Sequence, residues 1–535
     1  MVNRLKADLV LVNGKVVTMD PSESIAEAVA VKRNRIERVG TTVEVLEIRG
    51  EGTEVIDLGG RTVVPGLIDS HCHMISTGAR RMLNVDLSEE AGVHSIADLV
   101  ERLRKRAEET PKGHWVTGYQ EDDSKLKEKR HPNRWELDEA STEHPVLIST
   151  VGGHFYMANS KVFEDAGVSK DTPDPVGGKF DRDPETGEVT GGIHEKALDL
   201  VCPEPILPTR RQSLEGAKMI LTECTEHGIT CVYDTVDKHE IRAALDLKNG
   251  EGLPVRVRMD VAIDLFPQLK DLGVYRGLGD DWLRVCGLKF FFDGAISART
   301  AAVTEEYLNK PGFYGVMATT PEIARETLEA AYAEGYRVSC HANGDAAIAL
   351  YLDIMEELQQ KYPRDDPRNR DIHCTVITPE LVSRIKELGV LPTIFGPYPY
   401  YHGDKLIPAF GEERLERMFA ARSFLDAGVK IAAHSDHPCA PYPPLMAIHA
   451  MVNRVTRKGK PIGQSQRVSV MEALKLYTVN SAYQQLDEDR LGSIEPGKLA
   501  DMVVLGRDIL SVPTMEIIDI PVDMTIIDGR VVYKK

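Results

Sequence analysis

The sequence predicts an α/β protein: a (β/α)8 TIM-like barrel with a small β-sandwich domain built from both termini and an insertion after barrel strand 1. After about Thr209, helices that end at glycine alternate with short apolar strands, which implies a parallel sheet. The number and spacing of these units favour a closed barrel over an open sheet. Both ends of the chain are instead rich in short strands, and residues 112–208 lose the alternation.

The composition is typical of a globular protein with more than one structural unit. The chain has 535 residues, of which 42% are hydrophobic and 28% charged. Its formal net charge of −18 argues against nucleic-acid and anionic-membrane surfaces, which need clusters of Lys and Arg. No apolar run reaches the length of a membrane span, and the N-terminus lacks a signal-peptide pattern, so we expect a cytoplasmic location.

The predicted domain boundaries follow from the two strand-rich ends. Asn13-Gly14 and Asp528-Gly529 each separate two apolar runs, which predicts two tight hairpins. A helix that begins at Ser95 has apolar residues at helical spacing, and the irregular stretch follows it. The predicted domains are a β-sandwich of residues 1–65 and 485–535, a (β/α)8 barrel of residues 66–484, and an insertion of residues 110–208 within the barrel domain.

Two histidines follow the first apolar strand of the predicted barrel. Alternate side chains of a strand share one face, so His71 and His73 are expected to lie side by side where the strand opens into a loop. Paired imidazoles suit a metal ion. The same pair could also lie on a polar loop by chance, and the remaining strand ends decide between these interpretations.

Polar residues also close the later apolar runs, namely Lys289, His341, His373 and Asp436. The chemistry of a (β/α) barrel lies at the C-terminal ends of its strands. Each residue has a structural explanation when taken alone, such as a hydrogen-bonded histidine, a turn cap or a lysine that reaches solvent. A lysine within an aromatic run is unusual, because burying its charge without a partner is costly. Their order along successive strand ends favours one shared site.

This set resembles the amidohydrolase superfamily, which carries HxH on strand one, Lys on strand four, His on strands five and six, and Asp on strand eight. Further stretches resemble its YtcJ-like branch, the N-substituted formamide deformylase-like metal-dependent hydrolases. They are residues 65–71, Gly152-Gly153-His154 with Asn159-Ser160, residues 192–195, residues 289–294 with Arg299-Thr300-Ala301, and residues 492–501. The resemblance covers nearly the whole chain and is less specific for substrate than for fold.

The resemblance implies a binuclear zinc site. The expected ligands are His71, His73 and Asp436 for one ion and His341 and His373 for the other. Lys289, carbamylated by CO2, would bridge the two ions. The implied reaction cleaves the C–N bond of an N-acyl or N-formyl small molecule: a metal-bound hydroxide attacks the carbonyl, and Asp436 passes a proton to the leaving amine. The expected partners are a small-molecule substrate and further copies of the chain, with a dimer favoured.

Three residues are candidates for substrate contacts. His154 lies in the insertion beside a permissive Gly-Gly pair, and Tyr401 and His402 lie in an aromatic loop after strand seven. His154 could instead belong to the insertion core, and the aromatic loop could pack on a partner subunit. His434 and His437 flank the Ser-Asp pair where a small residue is common in the family. Residues 290–292, a run of three phenylalanines, are expected to pack the barrel.

Two other classes of function remain open. A mononuclear deaminase of cyclic amidines, or a metal-dependent decarboxylase, could use the same scaffold, although the bridging Lys289 weighs against the deaminase. A non-catalytic, metal-stabilised binding protein is the alternative of another class. Structural zinc sites are usually closed by four protein ligands, whereas the expected arrangement leaves positions open for water.

Overall fold

The computed structural model describes residues 6–151, 155–175, 178–203 and 206–535. These form two compact units, the first comprising residues up to 77 together with residues 217–535 and the second residues 78–216. Within the described ranges, none of the helices combines the length and the apolar character that crossing a membrane requires. The first unit contains the barrel and the domain made from both termini.

Eight parallel strands form the sheet of the barrel: β1 (Leu67–Cys72), β2 (Ile229–Val236), β3 (Arg256–Ala262), β4 (Leu283–Phe291), β5 (Val338–Ala342), β6 (Arg370–His373), β7 (Leu391–Phe395) and β8 (Ala432–His434). Each strand pairs in parallel with the next one along the chain. This order confirms the predicted TIM-like barrel. The six predicted strand-end residues, His71, His73, Lys289, His341, His373 and Asp436, can therefore be compared at one edge of the sheet, the carboxyl edge.

The segment that follows β8 contacts the end of β1 and the residue just after it, and these contacts join the two ends of the sheet. The backbone N–H of Asp436 donates to the carbonyl of His71 at 3.1 Å, and that of His73 donates to the carbonyl of His437 at 2.9 Å. The carboxylate of Asp69 accepts from both the backbone N–H and the hydroxyl of Ser435, at 3.1 and 2.5 Å. The barrel is thus closed by contacts that involve the predicted ligand segments themselves.

Helices follow most barrel strands and end where the sequence places glycine. The helices that precede β2 or follow a barrel strand are Met74–Leu83, Arg210–Glu226, Lys238–Asn249, Phe266–Asp271, Pro321–Ala333, Asp345–Lys361, Pro379–Glu387, Tyr398–Leu415, Ala421–Asp426, Pro444–Asn453, Val470–Leu476 and Val479–Gln484. Gly228, Gly335, Gly389 and Gly428 have φ of 77°, 89°, 62° and 75°. These left-handed conformations end the preceding helices, as the sequence predicted.

Both chain termini build the second part of the first unit, which contains two sheets. The four-stranded sheet has the order Arg35–Gly40, Ala28–Lys32, Leu9–Val12 and Glu54–Asp57. The six-stranded sheet has the order Arg530–Lys534, Val522–Ile527, Met502–Leu505, Thr62–Pro65, Lys15–Val17 and Ile25–Ala26. Leu11 and Val29 of the first sheet and Val63, Met502 and Ile526 of the second belong to one buried cluster. The sandwich from both termini is thereby confirmed.

One of the two predicted hairpins is wrong. Leu9–Val12 pairs with two strands of the smaller sheet, whereas Lys15–Val17 belongs to the larger sheet, so Asn13-Gly14 carries the chain between sheets. Only Asn13 of this pair has a positive φ, at 57°, and a tight two-residue turn needs positive φ at both positions. Asp528 and Gly529, with φ of 56° and 75°, do form the second predicted hairpin.

The second unit is an ordered α/β structure that begins before the predicted insertion. Its sheet has the order Gly178–Arg182, Val189–Glu195, Phe155–Ala158, Val146–Thr150, Val116–Glu121 and Val85–Asp86. Its helices include Ile96–Glu109, Arg134–Asp138, Ser160–Ala166 and Leu198–Val201. Leu99 and Leu103 pack with Val116 and Val146, so the helix predicted before residue 110 belongs to this unit. Helical periodicity alone could not say which core that helix would join.

Buried ion pairs hold the amino-terminal end of the barrel. Asp487, in the segment after the last helix, accepts from Arg258 of β3 at 2.6 Å and from Arg284 of β4. Arg258 and Asp487 are both fully buried. Burial raises the pKa of the Asp487 carboxyl, but the two guanidinium groups outweigh this effect and hold the pKa below its usual value. The charged carboxylate is therefore part of the native packing.

We predict that Asp487→Asn lowers the free energy of unfolding by about 3–5 kcal/mol, because it leaves two buried guanidinium groups without their counter-charge. The matched control is Glu357→Gln, which removes a carboxylate from an exposed pair with Arg325 at 3.1 Å. Exposed pairs contribute about 0–1 kcal/mol. Urea unfolding followed by circular dichroism measures both variants, and equal midpoints for Asp487→Asn and the wild type would contradict the prediction.

Candidate metal centre

Two imidazoles of the first strand converge on the carboxylate that follows the last strand. Nε2 of His71 lies 3.1 Å, and Nε2 of His73 3.5 Å, from the same Oδ1 atom of Asp436. His71 is buried, and the His73 side chain retains 27% exposure. The alternation expected for a strand thus places both rings on one side, and the closure of the barrel brings Asp436 to them.

His341 and His373 form the second half of the cluster. Nδ1 of His341 lies 3.0 Å from Nε2 of His373, and the ring centroids are 4.5 Å apart. Nε2 of His341 lies 3.1 Å from the carbonyl of Gly294 and 3.0 Å from the side-chain nitrogen of Asn343, so the nitrogen that faces His373 is Nδ1. His373 has φ of 82°, a left-handed conformation that is strained for a residue with a Cβ and often marks a functional site.

Burial keeps the imidazoles of His71, His341 and His373 neutral, which is the form that binds metal. It holds the pKa of His71 and of His373 well below the usual value and lowers the pKa of His341 to about 4. Burial also raises the pKa of Asp436, but interactions with His373 and His71 outweigh this effect and hold it well below the usual value. The cluster therefore combines neutral nitrogen ligands with an ionised carboxylate.

The side chain of Lys289 is buried, and its Nζ has no hydrogen bond among the described residues. The residue is 1% exposed, and Nζ lies 5.0 Å from the centroid of the Phe291 ring. Burial lowers the pKa of Lys289 to about 8. Burying an amine without a hydrogen-bond partner is costly in free energy. The surroundings of Lys289 therefore suit an amine that binds an added group or ion, and not one that forms an ion pair within the protein.

The residues present fit a metal ion. Ligand atoms of His71, His373 and Asp436 all lie within 4.8 Å of one another. Nε2 of His71, like Nζ of Lys289, is buried without a well-formed hydrogen bond in the described structure, although the Asp436 carboxylate is near. A cation coordinated by these atoms would satisfy buried polar groups that the protein chain alone leaves unsatisfied.

Asp293 orients the segment that carries His341. Its carboxylate accepts backbone hydrogen bonds, each 2.9 Å long, from Ala302, Asn343 and Gly344. These contacts tie the loop after β4 to the turn after β5, and the adjacent Gly294 supplies the carbonyl that faces His341. The Lys-containing motif of the sequence, which runs to Gly294, therefore also contains the residues that hold the neighbouring ligand.

The predicted substrate contacts have different surroundings. His154 lies outside the described residues. Tyr401 and His402 belong to the helix Tyr398–Leu415 and not to a loop. Pro399 lies in the first turn of this helix, where the backbone N–H that proline lacks would have no partner within the helix, so it does not prevent the helix from forming. Nε2 of His402 lies 2.7 Å from the carbonyl of Cys439, three residues after Asp436. This contact links the helix after β7 to the ligand segment, and substrate contact by Tyr401 and His402 stays a prediction.

Phe291 was expected to pack the barrel with Phe290 and Phe292, but the structure places it differently from these two residues. The two neighbours are 8% and 0% exposed, whereas Phe291 is 44% exposed. It follows Lys289 by two residues on β4, so it lies on the same side of the sheet, and its ring centroid is 5.3 Å from that of His341. Strand alternation counted from Lys289 was the signal that could have placed Phe291 next to the candidate ligands.

The two additional histidines beside Asp436 also differ from each other. His434, at the end of β8, is fully buried, and its Nε2 lies 3.3 Å from Nδ1 of His373. Nδ1 of His437 lies 3.2 Å from the carbonyl of Ala440 within its own loop. His434 thus touches the candidate ligand cluster directly, while the ring of His437 contacts the loop that follows.

Comparison with known proteins identifies a family for this chain. The sequence model of the amidohydrolase family matches residues 54–533. The chain is 31% identical over 520 residues to the protein LONG AFTER FAR-RED 3 of Arabidopsis thaliana, covering 94% of this chain and 88% of that protein. It is 29% identical over 541 residues to an N-substituted formamide deformylase of Arthrobacter pascens, covering 99% and 98%.

A solved structure shows the same architecture. The crystal structure of an uncharacterised metal-dependent hydrolase from Pyrococcus horikoshii has a TM-score of 0.77 at 27% identity, covering 95% of this chain and 99% of that one. The family's sequence model spans most of the chain, and the deformylase confirms the likeness to the predicted branch. The protein is a member of the amidohydrolase family, whose barrel it has and at whose carboxyl edge the candidate ligands meet.

Proposed function

We propose that this protein is a zinc-dependent hydrolase that cleaves the carbon–nitrogen bond of a small amide, either an N-acyl or an N-formyl compound. The observation that carries the proposal is the meeting of two buried imidazoles, those of His71 and His373, with the carboxylate of Asp436. The same strand ends supply Lys289, a buried amine without a hydrogen bond among the described residues. The full-length likeness to an N-substituted formamide deformylase supports an amide-type substrate.

Two groups of ligands would hold two ions. His71, His73 and Asp436 would hold one, and His341 and His373 the other. Imidazole nitrogen and carboxylate oxygen are the ligands that zinc prefers in proteins of this kind. When bound, zinc supplies a Lewis acid that polarises a carbonyl and lowers the pKa of water to about 7.

Lys289 would bridge the two halves of the site as a carbamate. The ammonium group would first lose a proton, and the neutral amine would then form a bond to the carbon of CO2 and lose a second proton. A buried cation would thereby become an anion with two oxygen ligands. This change removes the cost of burying an ammonium group without a partner. The alternative of a mononuclear deaminase would leave this buried amine without a bridging role, so Lys289 weighs against it.

Asp436 would move the proton during hydrolysis. Its ionised carboxylate accepts a proton as water adds to the carbonyl carbon and gives it to the amine nitrogen as the C–N bond breaks. The contacts to His71 and His73, at 3.1 and 3.5 Å, hold the carboxylate beside the site. The hydrogen bond from its backbone to the carbonyl of His71 fixes the direction from which it approaches.

We predict that Lys289→Ala and His341→Ala each reduce bound zinc from about two ions per chain toward one, because each removes a ligand of the second ion. Hydrolysis of N-acyl and N-formyl test amides should fall about 100-fold or more, since each variant loses charge stabilisation of the transition state. Elemental analysis and a coupled amine assay measure both effects. His114→Ala, at an exposed histidine of the second unit, is the control. Wild-type zinc content and rate in both site variants would overturn the binuclear proposal.

We also predict that Phe291 favours substrates with an apolar group on nitrogen. Phe291→Ala should raise KM for a formamide with an arylalkyl group about tenfold while kcat changes little, because removing such a contact costs about 1.5 kcal/mol. N-methylformamide serves as the internal control, since it is too small to contact the ring. Steady-state kinetics on both compounds provide the measurement, and an equal rise in KM for both would contradict a role in specificity.

A further inference from the structure

The buried histidine at the end of β8 has no role in the proposed ligand set. His434 is 0% exposed, and its Nδ1 has no hydrogen bond among the described residues. Its Nε2, by contrast, lies 3.3 Å from Nδ1 of His373. A buried imidazole that faces a candidate ligand on one side, and no partner on the other, needs an explanation beyond packing.

The arrangement of His373 indicates which of its nitrogens faces the metal. Its Nε2 lies 3.0 Å from Nδ1 of His341, close to the separation of two ligand atoms on one zinc ion, about 3.3 Å for a tetrahedral site with Zn–N bonds of about 2.05 Å. Its other nitrogen, Nδ1, is the one that faces His434. A metal-bound histidine usually donates this second N–H to an acceptor, which fixes its tautomer and the direction of its ring.

We propose that His434 is a positioning residue for the metal ligand His373: its Nε2 accepts the Nδ1–H of His373 and thereby presents Nε2 of His373 to the second ion. This inference rests on the proposed function, which supplies the ion. A neutral imidazole can accept in this way without adding a second negative charge beside Asp436, which a carboxylate at the same place would do.

A phenylalanine holds the two rings in this arrangement. The ring of Phe395, at the end of β7, stacks on His373 with centroids 4.5 Å apart and an interplanar angle of 13°. The same ring lies 4.6 Å from the centroid of His434. Because β6, β7 and β8 are neighbours in the sheet, the ends of three adjacent strands supply the ligand, the wall and the acceptor.

Substitutions of His434 can place a hydrogen-bond acceptor at the position of either ring nitrogen, or at neither. His434→Gln can place its Oε1 near the former Nε2, whereas His434→Asn places its oxygen near the former Nδ1, and His434→Leu offers no acceptor. We expect Leu and Asn to weaken the binding of one of the two zinc ions about 10- to 100-fold and to leave the other within about twofold. Gln should restore the affinity to within about threefold of the wild type.

Two measurements test this expectation on the full-length protein. Metal is removed, and zinc is returned in competition with a chromophoric chelator to obtain both affinities. The Co2+-loaded proteins are then compared by absorption spectroscopy, where His434→Gln should keep the wild-type bands because the ligand set is unchanged. Thermal unfolding of the metal-free variants serves as the folding control. If the His434→Leu variant does not fold, the zinc affinities of His434→Asn and His434→Gln are compared with each other instead.

Three outcomes would overturn the inference. Wild-type affinities in Leu and Asn would show that His434 does not position a ligand. Loss of one whole equivalent of zinc in all three variants, with altered Co2+ bands in Gln, would show that His434 is itself a ligand. A wild-type protein that binds no second ion would overturn both this inference and the proposed function, whereas the first two outcomes leave the proposed function intact.

Discussion

The hydrogen bonds between Asp69 and Ser435 are the contact on which the site depends. Asp69 lies two residues before His71, and Ser435 lies directly before Asp436, so one carboxylate aligns ligand segments that are more than 360 residues apart in sequence. A closed parallel barrel makes this contact available, because its first and last strands become neighbours. The chemistry of the site is thus a property of barrel closure rather than of any one motif.

The same site leaves polar groups unsatisfied where a globular protein normally satisfies them. Lys289, His71 and His434 each have a buried nitrogen without a hydrogen bond in the described structure, and His373 and Asp436 have left-handed backbones with φ of 82° and 56°. Local strain and unsatisfied groups are tolerated at functional sites when the surrounding structure holds them. Here the backbone contacts around Asp69 and Asp293 supply that support.

The barrel, the terminal sandwich and the ligand candidates could be predicted because they leave local signals. A polar residue that ends an apolar strand identifies His71, Lys289 and Asp436 without knowledge of their neighbours. The contact of His373 with His434 could not be predicted in this way, because it depends on register across three strands. The hairpin predicted at Asn13-Gly14 was wrong for a related reason. A turn sequence sets the local backbone preference, but packing in the core decides which strands pair.

The buried ion pairs at the amino-terminal end of the barrel, its base, determine which segments can be altered without loss of the fold. Asp487 and its arginine partners hold the strands at their amino-terminal ends, on the side opposite the ligands. Support for the scaffold is therefore anchored away from the loops that shape the site. Loops at the carboxyl edge other than the one that holds Asp293 and Gly294 can be exchanged or lengthened while the strands stay in register. An engineer who wishes to alter the range of amides accepted would graft loops here and leave the base untouched.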